Sequence, residues 1–203
     1  MIRNIIWDMG NVLADWNSRK IAANLPIKDE NRQIILEEVF YSVEWIRFDA
    51  GDITREEFIE TVKARTDESV WDDVETALDH WYEYSLDPIP ETEELAKKLK
   101  AAGYPQYVLS NANVMMDLCK DRIPVFRLMN GLYFSAFYKM MKPEARIYQS
   151  FLETFHLKAE ECVFIDDNRV NVAGAMIQHM SGIEFKNDIR KLEEDLRKLG
   201  VEW

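Results

Sequence analysis

Three short apolar runs in this 203-residue chain end in side chains able to do chemistry. Ile5-Ile6-Trp7 leads into Asp8, Tyr107-Val108-Leu109 into Ser110-Asn111, and Cys162-Val163-Phe164-Ile165 into Asp166-Asp167. A fourth candidate, Lys142, stands just before Pro143-Glu144. Asp8 is followed by Gly10 and by Val12-Leu13, which fits a tight turn holding an acid at a sheet edge, although a carboxylate there could also cap the next turn. Ser110 could be a helix N-cap. A hydroxyl and N–H groups at a helix start also suit a phosphate oxygen, and the two readings are compatible. A cation at the start of a helix opposes the helix dipole, so Lys142 makes more sense as a charge clamp opposite an anion. Asp166 and Asp167, with Asn171 nearby, would repel one another and raise each other's pKa if left unpaired. A divalent cation removes that cost, and an oxygen-rich site of this kind suits Mg²⁺.

These residues need a frame that brings them together. The apolar run ending at Trp7 reads as a buried strand, as do those beginning at Gln106, Cys162 and Gly182. Between them lie helical patterns. Glu91 to Ala102 places Leu95 and Leu99 on one face and stops at Gly103, Pro143 to Phe155 carries Ile147, Phe151 and Phe155 four apart, and Asp188 to Leu199 stops at Gly200. Alternating strands and helices predict an α/β fold, a Rossmann-like, doubly wound and mostly parallel sheet covered on both faces, with functional groups at the carboxyl ends of the strands. Residues 15–87 differ. They contain no convincing strand, many large aromatics, and at Thr54-Arg55-Glu56-Glu57 a capping box. This stretch reads as an all-helical insertion after the first strand, with a small core of its own. Residues 1–14 and 88–203 then form the α/β domain, with linkers near Ala14–Asn17 and Pro88–Pro90.

The formal net charge of −12, from 37 acidic and 25 basic residues, argues against a nucleic-acid partner and gives no help in gathering anions. Any phosphate must be held by local cations and backbone N–H groups. No apolar stretch reaches the roughly 18 residues of a membrane span, and the N-terminus lacks the pattern of a signal peptide. Cys119 and Cys162 are far apart and read as reduced, semi-buried thiols, which points to a cytoplasmic protein. His80, His156 and His179 lack metal spacing and read as structural. Asp15, beside Asn17-Ser18, reads as a helix cap.

In this order, Asp8-Met9-Gly10-Asn11-Val12-Leu13, Leu109-Ser110-Asn111, Lys142-Pro143-Glu144 and Ile165-Asp166-Asp167-Asn168 with Asn171 resemble the four motifs of the haloacid-dehalogenase superfamily. The resemblance covers the whole chain, and the helical insertion is similar to that family's cap domain. Within the superfamily the chain is most similar to small capped phosphatases beginning Asp-x-Gly-Asn-Val, some of which act on sugar phosphates, including hexose 1-phosphates. The resemblance implies a Mg²⁺-dependent phosphatase for a small phosphorylated metabolite. Asp8 would attack phosphorus to form an aspartyl phosphate that water then hydrolyses. Mg²⁺ would be held by Asp8, the Gly10 carbonyl and Asp167, with Asp166 bound directly or one step removed. Ser110, Asn111 and Lys142 would bind the substrate, with Ser110 and Lys142 taking the transferring oxygens.

One position departs from the pattern. Most phosphatases of this superfamily carry a second Asp two residues after the nucleophile, and here Gly10 stands in its place. Loss of a general acid–base should cost about 10²–10⁴ in rate unless something replaces it. That favours leaving groups of low pKa, such as an anomeric hydroxyl, or the participation of a cap residue or Asp15. Two other readings compete: a metal-independent 2-haloacid dehalogenase, which the paired acids oppose, and a non-catalytic metabolite-binding protein, which Gly10 alone supports.

Overall fold

The computed structural model describes all 203 residues. Five strands, β1 (Asn4–Trp7), β2 (Gln106–Ser110), β3 (Gly131–Phe134), β4 (Cys162–Asp166) and β5 (Ser181–Glu184), form one sheet in the order β3-β2-β1-β4-β5. Every neighbouring pair is parallel. Successive side chains of a strand point to opposite faces, and the apolar runs use both. Ile5, Trp7, Val108, Val163 and Ile165 pack on one side with Leu95 and Leu99 of helix Pro90–Ala101 and with Leu192 and Leu196 of helix Ile189–Lys198. Ile6, Tyr107, Leu109 and Phe164 pack on the other with Ile147 and Phe151 of helix Ala145–Thr154 and with Ala175 of helix Arg169–Ile177. The sheet is therefore covered on both faces, as the continuous apolar runs require.

Two expectations about elements change. The strand β3 has only four residues, starts at Gly131 and sits among short 3₁₀ turns, so it carries too little pattern to stand out in the sequence. Pro143 does not open a helix: the Lys142–Pro143 peptide is cis, and the helix begins at Ala145.

Between β1 and β2 the chain is helical, with helices Ser18–Asn24, Val43–Asp49, Arg55–Lys63 and Trp71–His80. Thr54 and Glu57 form the expected capping box. Asn17, not Asp15, caps the helix starting at Ser18, while Asp15 pairs with Lys20 at 2.9 Å. The ends of this segment lie side by side: Asp15 donates its N–H to the Asp87 carbonyl, Leu86 donates to Asp15, and Ile89 to Leu13. The segment does not have a separate core. Phe48, Phe58, Trp45 and Trp81 belong to the same hydrophobic cluster as Val108 and Ile165 of the sheet, because an apolar helical underside and an apolar strand end are more stable sharing one dry interface than facing water.

Candidate active site

The parallel strands β1, β2 and β4 end at one rim, and their terminal residues meet there. Asp8 directly follows β1, Ser110 closes β2, and Asp166 closes β4 with Asp167 next in the chain. Asp8 and Trp7 are drawn to β4 by strand pairing, Trp7 opposite Ile165, and the Asp8 N–H donates to the Ile165 carbonyl at 2.8 Å. Positions more than a hundred residues apart are thereby fixed by main-chain hydrogen bonds rather than by flexible side chains.

Lys142 is 4% exposed and lies between two carboxylates. Its Nζ donates to Asp8 Oδ1 at 2.7 Å, to Asp166 Oδ2 at 2.7 Å and to the Leu109 carbonyl at 3.0 Å. All three ammonium protons are thus used, and the two negative charges outweigh burial, so its pKa stays raised. Asn111 clamps the Lys142 backbone: its Nδ2 donates to the Lys142 carbonyl at 3.0 Å and its Oδ1 accepts from the Lys142 N–H at 2.9 Å. The Asn111 amide thus holds Lys142, and the residue also lines the cavity described below.

Asp166 is saturated in a similar way, accepting from Lys142, from the Asn168 N–H at 2.7 Å and from Asn171 Nδ2. Asp167, half-buried, accepts from Asn11 Nδ2 at 3.1 Å. The sequence assigned the turn after Asp8 to Gly10, but the left-handed residue is Asn11, at φ 55, an amide side chain that tolerates this region. A Cβ on Gly10 would meet the Trp16 Cβ at 3.5 Å, an ordinary contact, so the backbone does not demand glycine there.

Asp8, Asp166 and Asp167 can offer carboxylate oxygens that all lie within 4.8 Å of one another. One ammonium among three carboxylates leaves negative charge uncompensated in a buried place. Burial pushes the Asp8 carboxyl up to about 6, against the opposing pull of Lys142. Burial also raises Asp167, with Asn11 opposing and Asp166 adding to the rise. A hard divalent cation with oxygen ligands would relieve that excess, so this donor set fits the expected metal.

The cluster forms the floor of a cavity of about 300 Å³, at the lower end of the range for small-molecule sites. Its walls include Gly10, Ser110, Asn111, Asn113, Trp16 and, from the helical segment, Trp45, Asp49 and Trp81. The three indoles touch one another, with centroids 5.3 to 5.6 Å apart. Trp81 is 2% exposed and its Nε1 has no hydrogen-bond partner. Asp49 and Asn113 were not singled out in the sequence. A larger depression of about 560 Å³ lies beside Arg3, Tyr104 and His156, at the opposite ends of the strands from the acids. His80 pairs with Glu83, and both cysteines are buried and free; burial pushes the Cys119 thiol up to about 11 and the Cys162 thiol up to about 12. Neither cysteine lines the cavity with the acids.

No helix is long and apolar enough to cross a membrane. Residues 2–176 match the family of haloacid dehalogenase-like hydrolases. The chain is similar to a sesquiterpene phosphatase of Aspergillus oryzae, 25% identical over 96% of this chain and 94% of that protein. It is also similar to flavin mononucleotide hydrolase 1 of Arabidopsis thaliana, 24% identical over 77% of this chain and 62% of that one. Among solved structures, a family enzyme of Bacteroides thetaiotaomicron in complex with magnesium and inorganic phosphate superimposes with a TM-score of 0.72 and 26% identity, over 92% of this chain and 95% of that one. With three strand-end motifs and the Lys142 loop converging on one rim and a family match over most of its length, the chain belongs to the haloacid dehalogenase-like hydrolases.

Proposed function

We propose that the protein is a Mg²⁺-dependent phosphatase acting on a small phosphorylated metabolite, a sugar phosphate such as a hexose 1-phosphate, through an aspartyl phosphate on Asp8. The observation that carries this reading is the contact of Asp8 with Lys142 at 2.7 Å beside two further carboxylates at the floor of a partly open cavity. Mg²⁺ would be held by Asp8, the Gly10 carbonyl and Asp167, with Asp166 supporting from behind Lys142. When bound, the ion supplies positive charge that lets a phosphate dianion approach Asp8 and offsets charge growing on the transferring oxygens. Lys142 holds one Asp8 oxygen and leaves the other for attack. The Ser110 hydroxyl would donate to the transferring oxygens, and the Lys142 ammonium, its protons held by Asp8, Asp166 and Leu109, would act on them through its charge, while Asn111 keeps Lys142 in register.

The helical residues 15–87 serve as a cap that closes the cavity and excludes water. The tryptophan walls and the polar edge made by Asp49 and Asn113 suit a leaving group with one apolar face and several hydroxyls. The phosphatase and hydrolase relatives support phosphate-ester chemistry, and the Bacteroides enzyme's magnesium and phosphate support the ion. The paired acids disfavour a metal-independent dehalogenase.

The test is turnover of a panel of sugar phosphates with Mg²⁺ and with EDTA, for the wild type and Asp8→Asn. Hydrolysis that needs the metal and disappears in the variant is expected. Sustained hydrolysis by Asp8→Asn would remove the nucleophile, and chloride release from a 2-chloroacid in EDTA would favour dehalogenation instead.

A further inference from the structure

The phosphatase reading leaves one step without an agent: the leaving oxygen needs a proton, and Gly10 offers none. Four titratable side chains line the cavity, Asp8, Lys142, Asp167 and Asp49. Asp8 is the nucleophile, Lys142 has spent its protons on two carboxylates and a carbonyl, and Asp167 belongs to the acidic cluster on the floor. Only Asp49 remains, on the opposite wall.

Resting on that reading, we propose that Asp49, from the helical segment, is the general acid–base of the reaction. In the first half-reaction the bond from phosphorus to the leaving oxygen breaks as the bond to an Asp8 oxygen forms, and the Asp49 carboxyl gives its proton to the departing oxygen, releasing the alcohol. In the second, the Asp49 carboxylate takes a proton from water as the water oxygen bonds to phosphorus. The Asp8–phosphorus bond breaks, inorganic phosphate leaves, and Asp49 is again protonated.

Three features of the chain support the assignment. Asp49 ends helix Val43–Asp49, where a negative charge opposes the helix dipole, so stability does not explain an acid there. It is held towards the sheet at two points: Asn113 Nδ2 donates to Asp49 Oδ1 at 2.9 Å, and the Ser135 hydroxyl donates to the Asp49 carbonyl. Its surroundings also suit a proton carrier. Burial pushes the carboxyl up to about 7, only partly offset by hydrogen bonds from Asn113 and Trp45, and a group with a pKa near the working pH can both give and take a proton. Asn113 is then a positioning residue, acting through Asp49.

The experiment compares kcat/KM of the wild type and Asp49→Asn, with Mg²⁺, on an alkyl sugar phosphate and on p-nitrophenyl phosphate, whose leaving group departs without a proton. Because kcat/KM reports events up to phosphoryl transfer, the variant should lose about 10²-fold or more on the alkyl ester and far less on the aryl ester. An equal loss on both, or no loss on either, would overturn the assignment. Absence of turnover by the wild type on every ester would instead overturn the phosphatase reading itself. Should Asp49→Asn fail to fold, the wild type decides: a normal solvent deuterium isotope effect on kcat/KM for the alkyl ester and none for the aryl ester is expected, and equal effects on both would overturn the proposal.

Discussion

The floor and the far wall of the cavity are built in opposite ways. On the floor, Asp8, Lys142 and Asp166 grow from strand ends and their flanking loop, are buried, and are held by charged contacts of 2.7 Å. On the far wall, Asp49 sits at a helix end, is only partly buried, and reaches the sheet side through a single side-chain hydrogen bond to Asn113 and a backbone contact with Ser135. On the proposed mechanism the nucleophile must stand still against a metal and a cation, which suits a site placed by the sheet's own ladder. On the same mechanism a proton carrier needs only to be near the leaving oxygen, and a docked helix suffices for that.

The largest effect should come from breaking the floor. Lys142→Met leaves Asp8 and Asp166 facing each other without their shared cation, and removing one partner of a buried ion pair costs about 3–5 kcal/mol. Urea unfolding in the absence of divalent metal measures this directly; a loss below about 1 kcal/mol would mean that the floor is less rigid than its geometry implies.

A smaller effect should follow from prying at the docked wall. Gly51 has φ +73, and a Cβ there would come within 2.3 Å of the Ala136 carbonyl oxygen. Gly51→Ala should therefore destabilise the fold by roughly 2–3 kcal/mol through backbone strain and the clash, and raise KM by displacing Asp49. Unchanged stability and KM would show that the docking is loose.

The smallest effect has the opposite sign. The folded pKa of Asp49, about 7, lies above its ordinary value of 3.8. The folded state thus holds this proton more tightly than the unfolded one, and the associated stability is whole below the ordinary value and lost as pH rises through about 7. Asp49→Asn removes that loss. The variant should match the wild type near pH 4 and exceed it near pH 8 by about 1–3 kcal/mol, read from denaturation curves at the two pH values. A variant less stable than the wild type at pH 8 would mean that the carboxylate contributes to the fold, against a role chosen for chemistry.

The same contrast explains which residues the sequence reveals. Asp8, Ser110 and Asp166 stand where an apolar run stops, and a parallel sheet gathers such stops at one rim, so their meeting followed from the pattern. Lys142 was visible because a cation at the start of a helix asks for a reason, although that helix begins two residues later than its Pro143 suggested. Asp49 carries the mirror-image signal, an acid at the end of a helix two residues before Gly51, and it passed unnoticed because no strand end marks it. Asn111 stood out for its place beside Ser110, but a sequence does not show that its amide also holds the Lys142 backbone. Nor could a sequence reveal that the tryptophans of the insertion would join the sheet's own core, since this depends on two distant apolar surfaces meeting.

One further consequence follows from the paired stretches around Ala14 and Pro88, whose main chains bond to each other directly. Some seventy residues depart from the sheet and return at nearly the same point, so for the rest of the chain they amount to an oversized loop whose mouth is already shut. Lengthening, shortening or reshaping such a loop imposes little closure penalty and leaves the strand ladder undisturbed. A change confined to this cassette would thus reshape the wall carrying Trp16, Trp45 and Trp81 without moving the acids of the rim, provided it kept an oily underside to lay on the sheet.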